Sequence, residues 1–83
     1  KGLIMIDCFA KDVDFRQANL ATSDFSNTDF RDSLFLQTNL SKVNFVGAMH
    51  FNIDIKNNNV SRAKFERFAA LNLLSGLDIE LVD

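Results

Sequence analysis

The chain holds one thiol, Cys8, and one imidazole, His50, and these are its softest candidates for chemistry. A structural zinc needs four soft ligands, which one cysteine and one histidine cannot supply, and a lone cysteine excludes an internal disulfide. Catalysis by His50 would need a nucleophile within reach or a pair of buried carboxylates. Neither is legible, so the sequence predicts no catalytic, cofactor-binding or metal-binding residue. His50 is expected either as a buried, hydrogen-bonded neutral histidine or as the mark of a local slip in its surrounding pattern. Cys8 is expected to pack as a small hydrophobe. Asn39-Leu40-Ser41 and Asn59-Val60-Ser61 match the glycosylation pattern, but no secretory segment accompanies them.

The remaining candidates are Asp and Asn residues at regular intervals, and their spacing leads to the elements that carry them. Every fifth position from 15 to 65 reads Phe15, Leu20, Phe25, Phe30, Phe35, Leu40, Phe45, His50, Ile55, Val60 and Phe65. All but His50 are large and apolar. Two places earlier runs a series of small or β-branched residues that includes Ala18, Ser23, Thr28, Ser33, Thr38 and Val43. Between the two fall Asp14, Asn19, Asp24, Asp29, Asn39, Asn44, Asp54 and Asn59, with Leu34, Met49 and Lys64 as exceptions.

A step of five turns a side chain through about 140° on an α-helix and flips it across a continuous strand, so neither regular element buries this column. A chain that runs two or three residues extended and then turns a corner does. Each five-residue unit becomes one side of a coil, and stacked coils exchange backbone hydrogen bonds about 4.8 Å apart. The large residue fills the centre while the small one leaves it room. Short Asp and Asn side chains suit the corners by bonding nearby backbone.

The units Ala18-Asn19-Leu20-Ala21-Thr22, Ser23-Asp24-Phe25-Ser26-Asn27 and Thr28-Asp29-Phe30-Arg31-Asp32 resemble the A-(D/N)-L-x-x motif of the pentapeptide-repeat family. The resemblance covers 13–65 and implies an all-β, right-handed quadrilateral β-helix with four units per coil. Residues 1–65 are assigned to this solenoid and 66–83 to a C-terminal cap. Over 66–74 strong helix formers predict a capping α-helix, stopped by Ser75-Gly76, and 77–82 alternates apolar and acidic residues as a short terminal strand. Phe68, Leu71 and Leu74 are the candidate cap or dimer contacts. The layout resembles the C-terminal portion of the gyrase-interacting quinolone-resistance members, in which such a tail pairs two subunits. A monomeric cap is the equal alternative.

The chain has 83 residues, 47% of them hydrophobic, and a net charge of −2. That balance argues against direct nucleic-acid binding, and no stretch reaches the roughly 18 apolar residues that span a membrane. The chain begins at Lys1 rather than Met, and Gly2–Ile6 is too short for a signal-peptide core, so a processed or truncated piece of a longer protein is expected. The lone cysteine fits a reducing compartment, and the resemblance implies the bacterial cytoplasm.

Two outward sets are candidates for contact. Asp12, Asp24, Asp29 and Asp32 form an acidic surface, which the resemblance reads as a partial mimic of DNA. Lys11, Arg16, Arg31, Lys42, Lys56, Arg62 and Arg67 also face outward and weaken such a field. Leu34, Leu36, Val46, Met49 and Phe51 break the polar pattern and form a candidate apolar contact patch, unless the tail or missing N-terminal residues cover it. The expected function is a non-catalytic protein-interaction module, its specific version binding gyrase or topoisomerase IV in quinolone tolerance. The alternative is a structural scaffold or oligomerisation domain of a larger protein.

Overall fold

In a computed structural model, which describes residues 2–80 and 82, the five-residue period becomes the side of a coil. Parallel bridges join Ile4 to Asp24, Phe9 to Asp29, Asp14 to Leu34 and Asn19 to Asn39, and continue from Asp24 to Asn44 and Asn44 to Lys64. Each joins residues 20 apart, so four units close one coil. The first side stacks 3–5, 23–25, 43–45 and 63–65; the second 8–10, 28–30 and 48–50; the third 13–15 and 33–35, with 53–55 following unbridged; the fourth 18–20, 38–40 and 58–60. The bridges are isolated, and no longer strand forms among the described residues. The column measures 36 × 24 × 23 Å.

The centre is filled as the period requires. Phe25, Phe30, Leu40 and Val43 are fully buried, and Phe15, Leu20, Phe35 and Phe45 nearly so. Phe15 stacks on Phe35 and Phe45 on Phe65, both with ring centroids 5.0 Å apart. Such ring pairs add packing energy beyond the area they bury. Ile55, Val60 and Phe65 are only half-buried, because they lie on the last coil.

The corners have a common conformation. Their second residue takes a left-handed φ in Asp12, Gln17, Thr22, Asn27, Asp32, Gln37, Lys42, Gly47 and Arg62. Side chains rarely favour this region. Here the strained N–H is repaid by a bond to the next coil, as from Thr22 to the Ser41 carbonyl at 2.9 Å. The preceding Asp or Asn supports the bend: Oδ1 of Asp24 accepts from Ser26 N–H at 3.1 Å, and Asn39 and Asn44 act alike.

At position 50 the register slips. His50 takes a left-handed φ of 56° and stays exposed, and Phe51 enters the core instead, against Phe45 and Phe65. Of the two expectations for His50, the slip is the one found. Phe51, expected on the surface, is buried because it takes the central place that His50 vacates. The period resumes at the buried Ile53, which leaves the corner after Phe51 with Asn52 alone rather than two residues.

The cap departs from expectation. It is a 3₁₀ helix over Ala69–Leu77, not an α-helix over 66–74, and it continues through Ser75 and Gly76 to a left-handed Asp78. Phe68 precedes this helix, and the side chains packed on the core are those of Ala69 and Leu73 rather than the expected Phe68 and Leu71. The Glu66 carboxylate accepts from the N–H groups of Phe68 and Ala69, both at 3.1 Å. Ala69 and Leu73 lie against the core. Residues 78–80 and 82 form no strand, and Leu81 of the expected strand lies outside the described residues.

Candidate interaction surface

The four carboxylates of the expected acidic surface do not share one environment. Asp12 and Asp32 occupy the same corner in successive coils and are both exposed. Asp24, on the first side, is half-buried and spends one oxygen on its corner. Asp29, on the second side, receives His50 Nδ1 at 3.0 Å and lies 3.8 Å from the Arg31 guanidinium. Burial pushes its carboxyl up, but the His50 hydrogen bond, the Arg31 N–H and attraction to the neighbouring His50 and Arg31 outweigh this and hold it below the ordinary value.

Two further carboxylates are bound more firmly than the sequence suggested. Asp14 accepts from Nε and Nη2 of Arg16 at 2.9 and 2.8 Å. These bonds, with the Arg16 N–H, hold its carboxyl down to about 2. Asp54 is lowered by the Lys56 N–H and by the Asn57 amide at 2.7 Å. Acidic and basic groups therefore alternate around the column.

The apolar set is divided as well. Leu34 stands on the third side and Leu36 at its corner, whereas Met49 stands on the second side and Val46 at the corner before it; all four are between 43% and 48% exposed. With Phe51 buried, the expected patch resolves into two pairs. In the cap, Phe68 and Leu71 point outward, at 76% and 48% exposure, and Leu74 is half-buried. Cys8 is exposed on the first coil rather than packed in the core, its thiol donating to the Ile6 carbonyl at 3.4 Å. That coil has a neighbour on one side only.

The small series does more than leave room. Ser33 Oγ accepts from Val13 N–H at 3.1 Å and donates to the Ala10 carbonyl, bridging the turn of the preceding coil. Thr28 does the same between Cys8 N–H and the Met5 carbonyl, and the Asn58 amide between Thr38 N–H and the Phe35 carbonyl. The recurrence of Ser and Thr in the small column was the available signal.

The slip opens the third side. Elsewhere the central N–H of each unit bonds the coil below, as Phe30 to Met49, Leu40 to Asn59 and Phe45 to Lys64. The equivalent bonds at 32–35 are missing. Two cavities of about 630 and 280 Å³ lie there, sharing Ser33, Leu34 and Asn52 in their walls. Arg31, His50 and Asn72 line the larger one.

Among the described residues no cluster of three or more potential ligands could hold a metal ion, and no helix is long and apolar enough to cross a membrane. The family model for pentapeptide repeats matches residues 11–47 in eight copies. No curated protein matches the sequence. Among solved structures, full-length QnrB1, a plasmid-mediated fluoroquinolone resistance protein, is similar at 16% identity with a TM-score of 0.63, over 92% of this chain and 40% of that one. Two trypsin-treated forms of QnrB1 align at 12% and 13% identity, with TM-scores of 0.54 and 0.51. These cover 94% and 89% of this chain and 47% and 45% of those. The chain thus spans less than half the length of these structures. At such identities the likeness carries the fold alone, a right-handed β-helix.

Proposed function

The chain carries pentapeptide repeats, and from that premise we propose that it works as a non-catalytic protein-interaction module. The observation that carries this reading is the placement of Leu34, Leu36, Val46 and Met49, all exposed on a column whose interior is already full. Apolar side chains held outward by fixed corners offer contact area at small entropic cost.

The specific version is binding to a type II topoisomerase, gyrase or topoisomerase IV, in the bacterial cytoplasm, with quinolone tolerance as the outcome. Its supports are the fold likeness to a fluoroquinolone resistance protein and the exposed corner carboxylates Asp12 and Asp32, which stand in part for phosphates. Asp24 and Asp29 contribute less, since both are engaged locally. A supercoiling assay with purified gyrase, with and without a quinolone, tests this. Altered supercoiling or relief of the drug at micromolar protein is expected, and no effect would end the topoisomerase assignment.

A second reading is a scaffold or oligomerisation domain, paired through the terminal helix and tail. It is favoured by Phe68, Leu71, Ile79 and Val82, all exposed at the same end. Sedimentation velocity separates the two readings, because an oligomerisation domain must self-associate while an interaction module need not.

A further inference from the structure

We propose that the first coil is a self-association surface, on which a second copy of this chain docks about a two-fold axis through Phe9. This surface lies far in sequence from the terminal helix and does not depend on the topoisomerase reading. Two columns change character there. That of Ile4 continues as Asp24, Asn44 and Lys64, and that of Phe9 as Asp29 and Met49. Only on the first coil are both apolar, at 76% and 64% exposure, with Leu3 and Ile6 beside them at 46% and 44%.

The backbone is open at the same places. Asp24 gives its N–H to the Leu3 carbonyl and takes that of Met5, so both of its groups face the first coil. The same alternation turns the N–H and carbonyl of Ile4, Phe9 and Asp14 toward the free edge. Among the described residues none of these groups has a hydrogen-bond partner. Such an edge is a template for pairing with another chain.

Register and charge select a second copy as that chain. Two copies related by a two-fold axis present antiparallel edges, and residues equally far from the axis oppose one another. With the axis at Phe9, Phe9 exchanges both bonds with its own counterpart, and Ile4 exchanges both with Asp14. Asp7 then opposes Lys11, twice over. Both side chains are exposed, and neither has an ion-pair partner within the chain among the described residues. Asp12 opposes Ile6, and Arg16, already paired with Asp14, opposes Gly2, so no like charges meet. Moving the axis to Asp14 would set that carboxylate against itself. Over the first twenty residues Lys1, Lys11 and Arg16 balance Asp7, Asp12 and Asp14, so the end meets its copy without net charge. The column is 24 × 23 Å across. Pairing its ends therefore buries on the order of 1,000 Å² in total, about the least that a specific interface needs.

Sedimentation velocity from micromolar to millimolar protein tests the pairing. The native chain should dimerise as concentration rises, and the Phe9 amide should gain exchange protection with it. Asp7→Lys and Lys11→Asp should each weaken the dimer by roughly tenfold or more, since each turns two attractions into two repulsions. An equal mixture of the two variants, or the double substitution, should restore it. Lys42 and Arg62 take the same left-handed φ as Asp7, so lysine fits that corner and the monomer's Tm should hold.

A monomer at millimolar protein would overturn the proposal. So would a dimer indifferent to both charge reversals, or one that neither the mixture nor the double substitution restores. A Phe9 amide protected in the monomer would mean that the chain's own residues cover the edge, which excludes the second copy. A dimer lost in Phe68→Ser but kept in Asp7→Lys would assign association to the terminal helix and overturn the two-fold at Phe9.

Discussion

Gly47 lies beneath Asn27 so closely that a Cβ on Gly47 would stand 2.0 Å from Asn27 Oδ1. The two occupy the same corner in successive coils, and Gly47 and Gly2 are the glycines with a left-handed φ among the described residues. The φ of 79° at Gly47 adds a backbone reason. Gly47→Ala should therefore destabilise the protein by about 1–2 kcal/mol. Asn27 can retreat, because the clash is with the tip of its side chain. Asn27→Ala should consequently recover part of the loss, which a double-mutant cycle of thermal unfolding will measure. Purely additive effects would show that strain at φ, rather than the contact, sets the cost.

Ser33→Ala should cost about 1–3 kcal/mol, because it leaves Val13 N–H and the Ala10 carbonyl without their shared hydroxyl. Thr38→Val should behave alike through the Phe15 carbonyl, to which Thr38 donates at 2.8 Å. Ser41→Ala, at a corner and bonded only within its own unit, should stay within about 0.5 kcal/mol. Urea midpoints for the three variants check this, and equal losses at Ser33 and Ser41 would refute the bridging role.

The coil was legible because its signal repeats. Phe15, Phe25, Phe30, Phe35 and Phe45 recur at one period, and a period that fits neither helix nor strand permits few other packings. The hydroxyls of Ser33 and Thr38 were visible as small residues but not as bonds to the preceding coil, since the Ser33 partners lie 20 and 23 positions away and Phe15, which accepts from Thr38, lies 23 away. The slip was visible only as a flaw at His50. Which neighbour would take the empty place was decided by volume: Phe51 fills it and exposed His50 does not. The surface sets were least legible, because a linear pattern tells outward from inward but not which of four sides a residue faces. Leu34 and Met49 are near in sequence and stand on adjacent sides.

The acid limb of stability should depend on Asp14. Its folded pKa of about 2 lies below the ordinary 3.8, so its contribution is complete above that value and is lost as pH falls toward 2. The pair is exposed and screened, so the effect is small and weakens with salt. NMR titration should place the Asp14 carboxyl well below the ordinary 3.8, and Asp14→Asn should flatten the limb. A carboxyl titrating near 3.8 would remove the Arg16 pairing from solution.

In the cap, exposure separates two apolar residues that look alike in sequence. Leu73 lies against the core, whereas Phe68 is 76% exposed. Leu73→Ser should lower Tm measurably. Phe68→Ser should leave the monomer's Tm unchanged, and should reduce sedimentation mass if the terminal helix pairs two copies. A large loss of Tm in Phe68→Ser at dilute protein would mean that the cap packs differently.

Phe30→Ala should be the most damaging single truncation. The ring is wholly buried and lies 5.4–6.0 Å, centroid to centroid, from Phe25, Phe35, Phe45 and Phe15. Removing it costs about 3–5 kcal/mol, a large part of the 5–15 kcal/mol that holds a typical domain. Phe65 is half-buried on the last coil, stacked on Phe45 and near Phe51, so Phe65→Ala should cost roughly half as much. The two losses should also differ in kind, because coils in a solenoid are stabilised mainly by their neighbours. Phe65→Ala should fray the last coil, speeding exchange at the Phe45 amide, which bonds Lys64 at 2.8 Å, while the Leu20 amide keeps its protection. Phe30→Ala removes the contact shared by the middle and outer coils and should expose both amides together. Uniform exchange in both variants would mean that the column unfolds as one unit, with no independent last coil.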